Sequence, residues 1–225
     1  MTEQFEASTA KVTIFGAERK GVPAVYLPTV MREGDKVWQA CNEKGCPPFA
    51  LIELSGFDWN DCMSPWAIPP ISKNDTPCTG GADTFLSALT DEIMPAVEKI
   101  LGGTPSCNIV AGYSLAGLFA VYSLYKTDKF SKAASASGSF WYPNFLRYAT
   151  EHEFVRRPDC LYFSLGDREA KTSNVYLREV ERNTLALCEH MRKRSIATVF
   201  VSNPGNHFKN AVPRMADGIV WVLEN

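Results

Sequence analysis

Apolar positions along the chain gather into short runs separated by polar or periodically apolar stretches. Seven runs read as strands: "KVTIF" (11–15), "AVYLPTV" (24–30), "FALIELS" (49–55), "NIVAGYS" (108–114), "KAASASGS" (132–139), "CLYFSLG" (160–166) and "ATVFVSN" (197–203). Helical stretches lie between them, which is the alternation of a mostly parallel sheet covered on both faces. Phe85, Leu89, Ile93 and Val97 recur every four residues, and Tyr176, Val180, Leu187 and Met191 keep a similar stripe, so both segments are expected to be amphipathic helices. Pro95 has no N–H for the intrahelical ladder and is expected to kink or shorten the first. "GAERKG" (16–21) carries a glycine at each end, which predicts an antiparallel hairpin between the first two runs.

One stretch resists periodicity. Residues 55–81, "SGFDWNDCMSPWAIPPISKNDTPCTGG", are rich in Pro, Gly, Asn and Asp, yet Trp59 and Trp66 are costly to leave in water. The segment is expected to be an ordered loop lining a site, with no regular structure of its own.

Length and charge narrow the class. At 225 residues the chain is long enough for one well-buried core, and a single α/β domain spanning 1–225 is expected. Its net charge is −2, from 23 basic and 25 acidic residues without a dense Lys/Arg run, so neither nucleic acid nor a membrane surface is an expected partner. "MTEQFEAST" has neither the basic start nor the apolar core of a signal peptide, and no apolar run nears the roughly 20 residues of a membrane span; a cytoplasmic location is expected. The seven cysteines are odd in number and irregular in spacing, so reduced thiols are expected. Cys41 and Cys46 have no second Cys or His pair to complete a zinc site.

The stretch carrying chemistry is "GYSLAG" (112–117), where an apolar strand gives way to a helix-forming run. A nucleophilic serine on a sharp strand-to-helix turn needs small flanking residues, because strand and helix approach closely around it. Gly112 and Ala116 meet that need about Ser114, with Gly117 one place beyond the usual glycine. Such a serine requires a base. Of the three histidines, His152 lies in the charged "EHEFVRR" and His190 at the basic end of a helix, whereas His207 follows the last strand on the turn "NPGNHF". An acid should come from the loop after the intervening strand. Asp167 and Glu169 in "SLGDREAK" both qualify, and spacing does not separate them.

From "LIELSGFDW" onward, "GYSLAGL", "SASGSFWYP", "SLGDREAKTSN" and "GNHF" occur in an order that resembles the Putative esterase family of the α/β-hydrolases, which includes feruloyl esterases, S-formylglutathione hydrolases and siderophore trilactone esterases. The resemblance implies an α/β-hydrolase fold, and since the chain is short for that fold and has no inserted segment long enough, no separate lid domain is expected. Carrying the family's acid spacing onto Gly166 selects Glu169, with Asp167 in reserve. "LSG" (54–56) resembles the segment after the family's third strand, with Ser55 in place of the usual charged or imidazole residue. By that likeness the backbone N–H groups of Phe57 and Leu115 would form the oxyanion hole. Trp141 would stand at the pocket wall, with Gly56, Trp59, Trp66 and Tyr113 as further substrate contacts.

The reading that follows is a serine hydrolase of a small-molecule carboxylic ester, with Ser114 as nucleophile, His207 as base and no metal or organic cofactor. Two alternatives stand beside it: an inactive scaffold serving as a binding module, and a thioesterase or peptidase using the same machinery. Neither the substrate's acyl and alcohol groups nor the oligomeric state is readable from the chain.

Overall fold

The computed structural model describes residues 1–225. In chain order the elements are β1 (Thr2–Glu6), β2 (Lys11–Phe15), β3 (Ala24–Pro28), α1 (Gly34–Glu43), β4 (Ala50–Ser55), α2 (Trp59–Cys62), β5 (Ala67–Ile68), β6 (Cys78–Thr79), α3 (Ala82–Ala88), α4 (Met94–Leu101) and β7 (Asn108–Tyr113). They continue with α5 (Leu115–Ser123), β8 (Lys132–Ala136), α6 (Phe145–Glu151), β9 (Cys160–Gly166), α7 (Val180–Lys193), β10 (Ala197–Asn203) and α8 (Ala211–Glu224). Eight strands form one sheet in the order β1-β2-β4-β3-β7-β8-β9-β10. Pairing from β4 to β10 is parallel throughout, and β2 is antiparallel to both of its neighbours.

Side chains alternate between two cores, as a pleated sheet covered on both faces requires. Val25 and Leu27 of β3 pack with Val37 and Cys41 of α1 and with Met215, Ile219 and Val222 of α8. Ala24 and Tyr26 face the opposite, larger core, which holds Phe85, Phe119 and Leu187 from α3, α5 and α7. No helix is long and apolar enough to cross a membrane.

Several expectations require correction. The first two runs do not form a hairpin: β4 lies between β2 and β3. Every residue of β3 is buried, so that strand needs a neighbour on each side, and β4 and β7 supply them. The antiparallel partner of β2 on its outer side is β1, an edge strand of mostly exposed polar residues whose sequence carries no apolar run. The 55–81 stretch has regular structure after all. Asp58 Oδ1 accepts the Asp61 N–H (3.1 Å) to cap α2, and β5 pairs with β6 in a short antiparallel ribbon.

The first apolar stripe is one helical run in which α3 passes through a π turn at Leu89–Ile93 into α4, and Pro95 sits in the first turn of α4. The ladder changes register just ahead of the residue that has no N–H to give. The second stripe begins its helix at Val180, after a 3-10 turn at Leu177–Glu179 that leaves Tyr176 exposed.

The carboxyl ends of β3, β7, β8, β9 and β10 share one edge of the sheet, the usual crevice for ligands in parallel α/β folds. Buried Glu53 organises part of that edge. Its Oε1 accepts the Thr29 hydroxyl (2.8 Å) and the Gly34 N–H (2.7 Å), fixing the segment after β3 and the start of α1. Glu53→Ala leaves both buried donors without a partner and is expected to lower the unfolding free energy by about 2–3 kcal/mol. Urea denaturation checks this, and an unchanged midpoint would contradict it.

Candidate active site

Ser114 occupies the turn between β7 and α5 with φ 58° and ψ −123°, a conformation that costs a non-glycine residue about 1–3 kcal/mol. Its surroundings hold it there. The Ser114 N–H donates to Ala136 O (3.2 Å), and its carbonyl accepts from Leu118 N–H (3.1 Å) and Ser139 N–H (3.0 Å). A Cβ on Gly112 would lie 2.2 Å from the Ala116 carbonyl carbon, so strand and helix can meet only over a glycine. A Cβ on Gly117 would come within 2.7 Å of Ser135 Oγ and 2.9 Å of Gly138 Cα, which ties α5 closely to the β8 side.

The structure brings Ser114, His207 and Glu169 together from three separate strand ends. His207 Nε2 lies 3.1 Å from Ser114 Oγ, and Nδ1 lies 2.8 Å from Glu169 Oε2. Asp167 faces elsewhere: its Oδ1 accepts the Gly205 N–H (2.7 Å), bracing the turn that delivers His207. At these distances the imidazole is able to accept the serine proton while the carboxylate faces the nitrogen that stays protonated.

Glu169 is only 4 % exposed, so its charge needs partners. Oε1 accepts from Ser137 Oγ (2.6 Å), the Gly166 N–H (2.5 Å) and Arg214 Nη2 (2.9 Å). Burial works against ionisation, but the hydrogen bonds from His207, Ser137 and the Gly166 amide outweigh it and hold the carboxyl down at about 2.

Arg214 and Ser137 are absent from the sequence-derived site. Arg214 is 3 % exposed, and its Nη1 donates to the Tyr113 hydroxyl (2.8 Å), which in turn donates to the His207 carbonyl (2.6 Å). One guanidinium from α8 therefore braces both the acid and the loop carrying the imidazole. The sequence held a signal: Arg214 falls on the buried stripe with Gly218 and Val222, where a charge requires a reason. Ser137 takes φ 47° directly after β8.

A cleft of about 530 Å³ opens over Ser114, walled by Trp59, Trp141 and Ser139 and rimmed by Asn74, Asp75 and Thr76. Trp66 is not in it. Its ring packs against Tyr142 and Tyr148, and its Nε1 donates to Pro143 O (3.1 Å), so it is a half-buried wedge. Tyr113 serves the network just described and also lines a second cavity that reaches Ser114, while Gly56 (φ 81°) is an exposed turn residue near Lys11.

The assignment around "LSG" also needs correction. That segment ends β4, but the strand bordering β7 is β3. At about 4.8 Å per strand, the loop after β4 starts about 10 Å from the strand that carries Ser114. The Phe57 ring packs on Phe85 (4.7 Å between centroids). In the nearer loop, after β3, Thr29 N–H donates to Leu54 O (2.8 Å) and Met31 N–H to Glu33 Oε2 (2.9 Å), leaving the Val30 N–H without an acceptor. Strand order, which no local pattern encodes, decides this point.

Residues 29–207 match the model of the family described as "Putative esterase". YbbA of Bacillus subtilis strain 168 is 24% identical over 193 residues, 80% of this chain and 75% of YbbA. An IroE-like serine hydrolase from Shewanella oneidensis superposes with a TM-score of 0.80 at 16% identity, covering 100% of this chain and 80% of that one. The siderophore hydrolase EstA of Aspergillus nidulans gives 0.72 at 19% identity, covering 100% and 94%. The fold is the α/β-hydrolase fold, a mostly parallel sheet with helices on both faces.

Two outcomes test the buried network. Arg214→Met removes one charged donor from Glu169, which keeps those of Ser137, Gly166 and His207, and is expected to cost about 1.5–3 kcal/mol in urea denaturation; an unchanged midpoint contradicts it. The folded carboxyl titrates near 2, below its ordinary 4.5, so its stabilisation is complete above about pH 4.5 and is lost as pH falls towards 2. The stability gap between wild type and Glu169→Gln should therefore hold from pH 7 to about 4.5 and close below. A gap that widens on acidification contradicts this.

Proposed function

Since the chain belongs to the Putative esterase family, we propose that it hydrolyses a carboxylic ester through an acyl-enzyme on Ser114. The observation that carries the reading is the continuous contact from Ser114 Oγ through His207 to Glu169. His207 takes the serine proton as Oγ attacks the ester carbonyl, and returns it to the leaving alcohol as the tetrahedral adduct collapses. Water, deprotonated by the same imidazole, then releases the acid. Glu169 remains ionised throughout, orienting His207 and stabilising its cation.

The negative oxygen of the adduct is assigned to the backbone N–H groups of Val30 and Leu115. The Leu115 amide opens α5 and has no carbonyl one turn back within the helix, and the Val30 amide has no acceptor in the protein. A preorganised donor of this kind contributes about 10²–10³ in rate. Trp59 and Trp141 form the walls against which substrate packs. Siderophore esters belong among the first compounds to try, because EstA is a siderophore hydrolase.

Retention of a strained serine and of a buried, charge-compensated acid argues against an inactive binding scaffold, which would gain nothing from either. A fluorophosphonate probe is expected to label wild type, to label His207→Ala far more slowly and to leave Ser114→Ala unlabelled. Ester turnover by Ser114→Ala should fall by about 10⁴-fold or more. Undiminished labelling or turnover in Ser114→Ala, or an unlabelled wild type, contradicts the proposal.

A further inference from the structure

A second cavity, of about 270 Å³, also reaches Ser114 and His207, and shares Trp59 and Phe208 with the first. It is the smaller of the two and the more uniformly apolar. Leu27, Val37 and Met215 are buried in its lining, and Val30, Met31 and Phe208 stand exposed there, at 54, 81 and 85 %. Glu33 is its only acid, and that carboxylate is engaged by the Met31 N–H. Only nine large hydrophobic residues of the chain are exposed, and three of them meet at this one opening. Apolar residues grouped at the mouth of a cleft mark a binding surface, whereas scattered ones do not.

The cleft ends at the reactive pair, which identifies its occupant as part of the substrate and not a docked protein. Drug-sized ligands fill roughly 300–1,000 Å³, so this space is smaller than a whole ligand of that kind. A cavity of about 150 Å³ suffices for benzene, so one substituted ring or an alkyl chain of about six carbons fits here. The larger cleft also has apolar walls, Ile68, Ile71 and Trp141 among them, but it alone carries a polar rim, where Asn60, Asn74, Asp75 and Thr76 offer hydrogen bonds.

Resting on the serine-esterase reading above, we infer that the substrate is an ester of two unlike halves. A compact apolar group enters the cleft between the segment after β3 and the start of α8, and a hydrogen-bonding group lies in the larger cleft beside Trp59 and Trp141. The scissile bond spans the two at Ser114.

Two series test this: p-nitrophenyl esters from acetate to octanoate, and acetates of the alcohols from ethanol to octanol. In the series that seats its chain in the cleft, kcat/KM is expected to climb about fourfold per methylene and to level off after about six carbons. Val212→Phe, which fills the cleft from α8, should flatten that climb, and Ala211→Leu should shorten it. Thermal midpoints of both variants separate a filled cleft from a damaged fold. A flat dependence in both series, or a climb that neither folded variant alters, overturns the inference. Hydrolysis abolished by Ser114→Ala in the same assays would leave the esterase reading standing, whereas no turnover of any ester would remove both.

Discussion

A carboxylate buried beyond the end of β9 cannot stay ionised without compensation, and much of the site follows from how Glu169 is compensated. Three donors converge on Oε1, from Ser137, Gly166 and Arg214, and the imidazole of His207 meets Oε2. Those donors come from the ends of β8 and β9 and from α8, and the imidazole comes from the loop after β10, so the charge ties together four parts of the chain distant in sequence. Arg214 extends the tie through Tyr113 to the backbone of His207 itself. The imidazole is thus held at its ring by the acid and at its carbonyl by a tyrosine.

Strain at Ser114 is the counterpart of that rigidity. The backbone conformation that points Oγ over the sheet edge is unfavourable for serine, and it persists because three backbone hydrogen bonds and two glycine contacts over-determine it. Preorganisation of this kind lets an acyl-transfer site meet developing charge without rearranging its own dipoles. Glu53 acts in a parallel way on the other side, holding the segment after β3 whose free amide stands beside the strand of Ser114.

Much of this could be read from the chain, and the omissions have physical causes. Strands buried on both faces are near-continuous apolar runs, so those inside the sheet stood out, and half-buried β10 at one edge is apolar enough to join them, whereas β1 is a polar edge strand with nothing to distinguish it. Strand order is a long-range property. That is why "GAERKG" suggested a hairpin that does not form, and why the loop bordering β7 is the one after β3 and not "LSG" at the end of β4. Trp59 and Trp66 are seven residues apart in one loop and equally apolar; α2 turns the former to the cleft and the ribbon carries the latter into an aromatic cluster. An arginine in an amphipathic helix ordinarily reads as solvated, and only its place on the buried stripe marks Arg214 as different.

Whether Ser114, His207 and Glu169 act as one unit is tested most directly by the steady-state kinetics of the single, double and triple alanine variants on one ester. Groups working in a single proton relay do not lose rate additively. The account predicts that Ser114→Ala combined with His207→Ala, with or without Glu169→Ala, is no slower than Ser114→Ala alone. Losses that multiply across the three positions would contradict it.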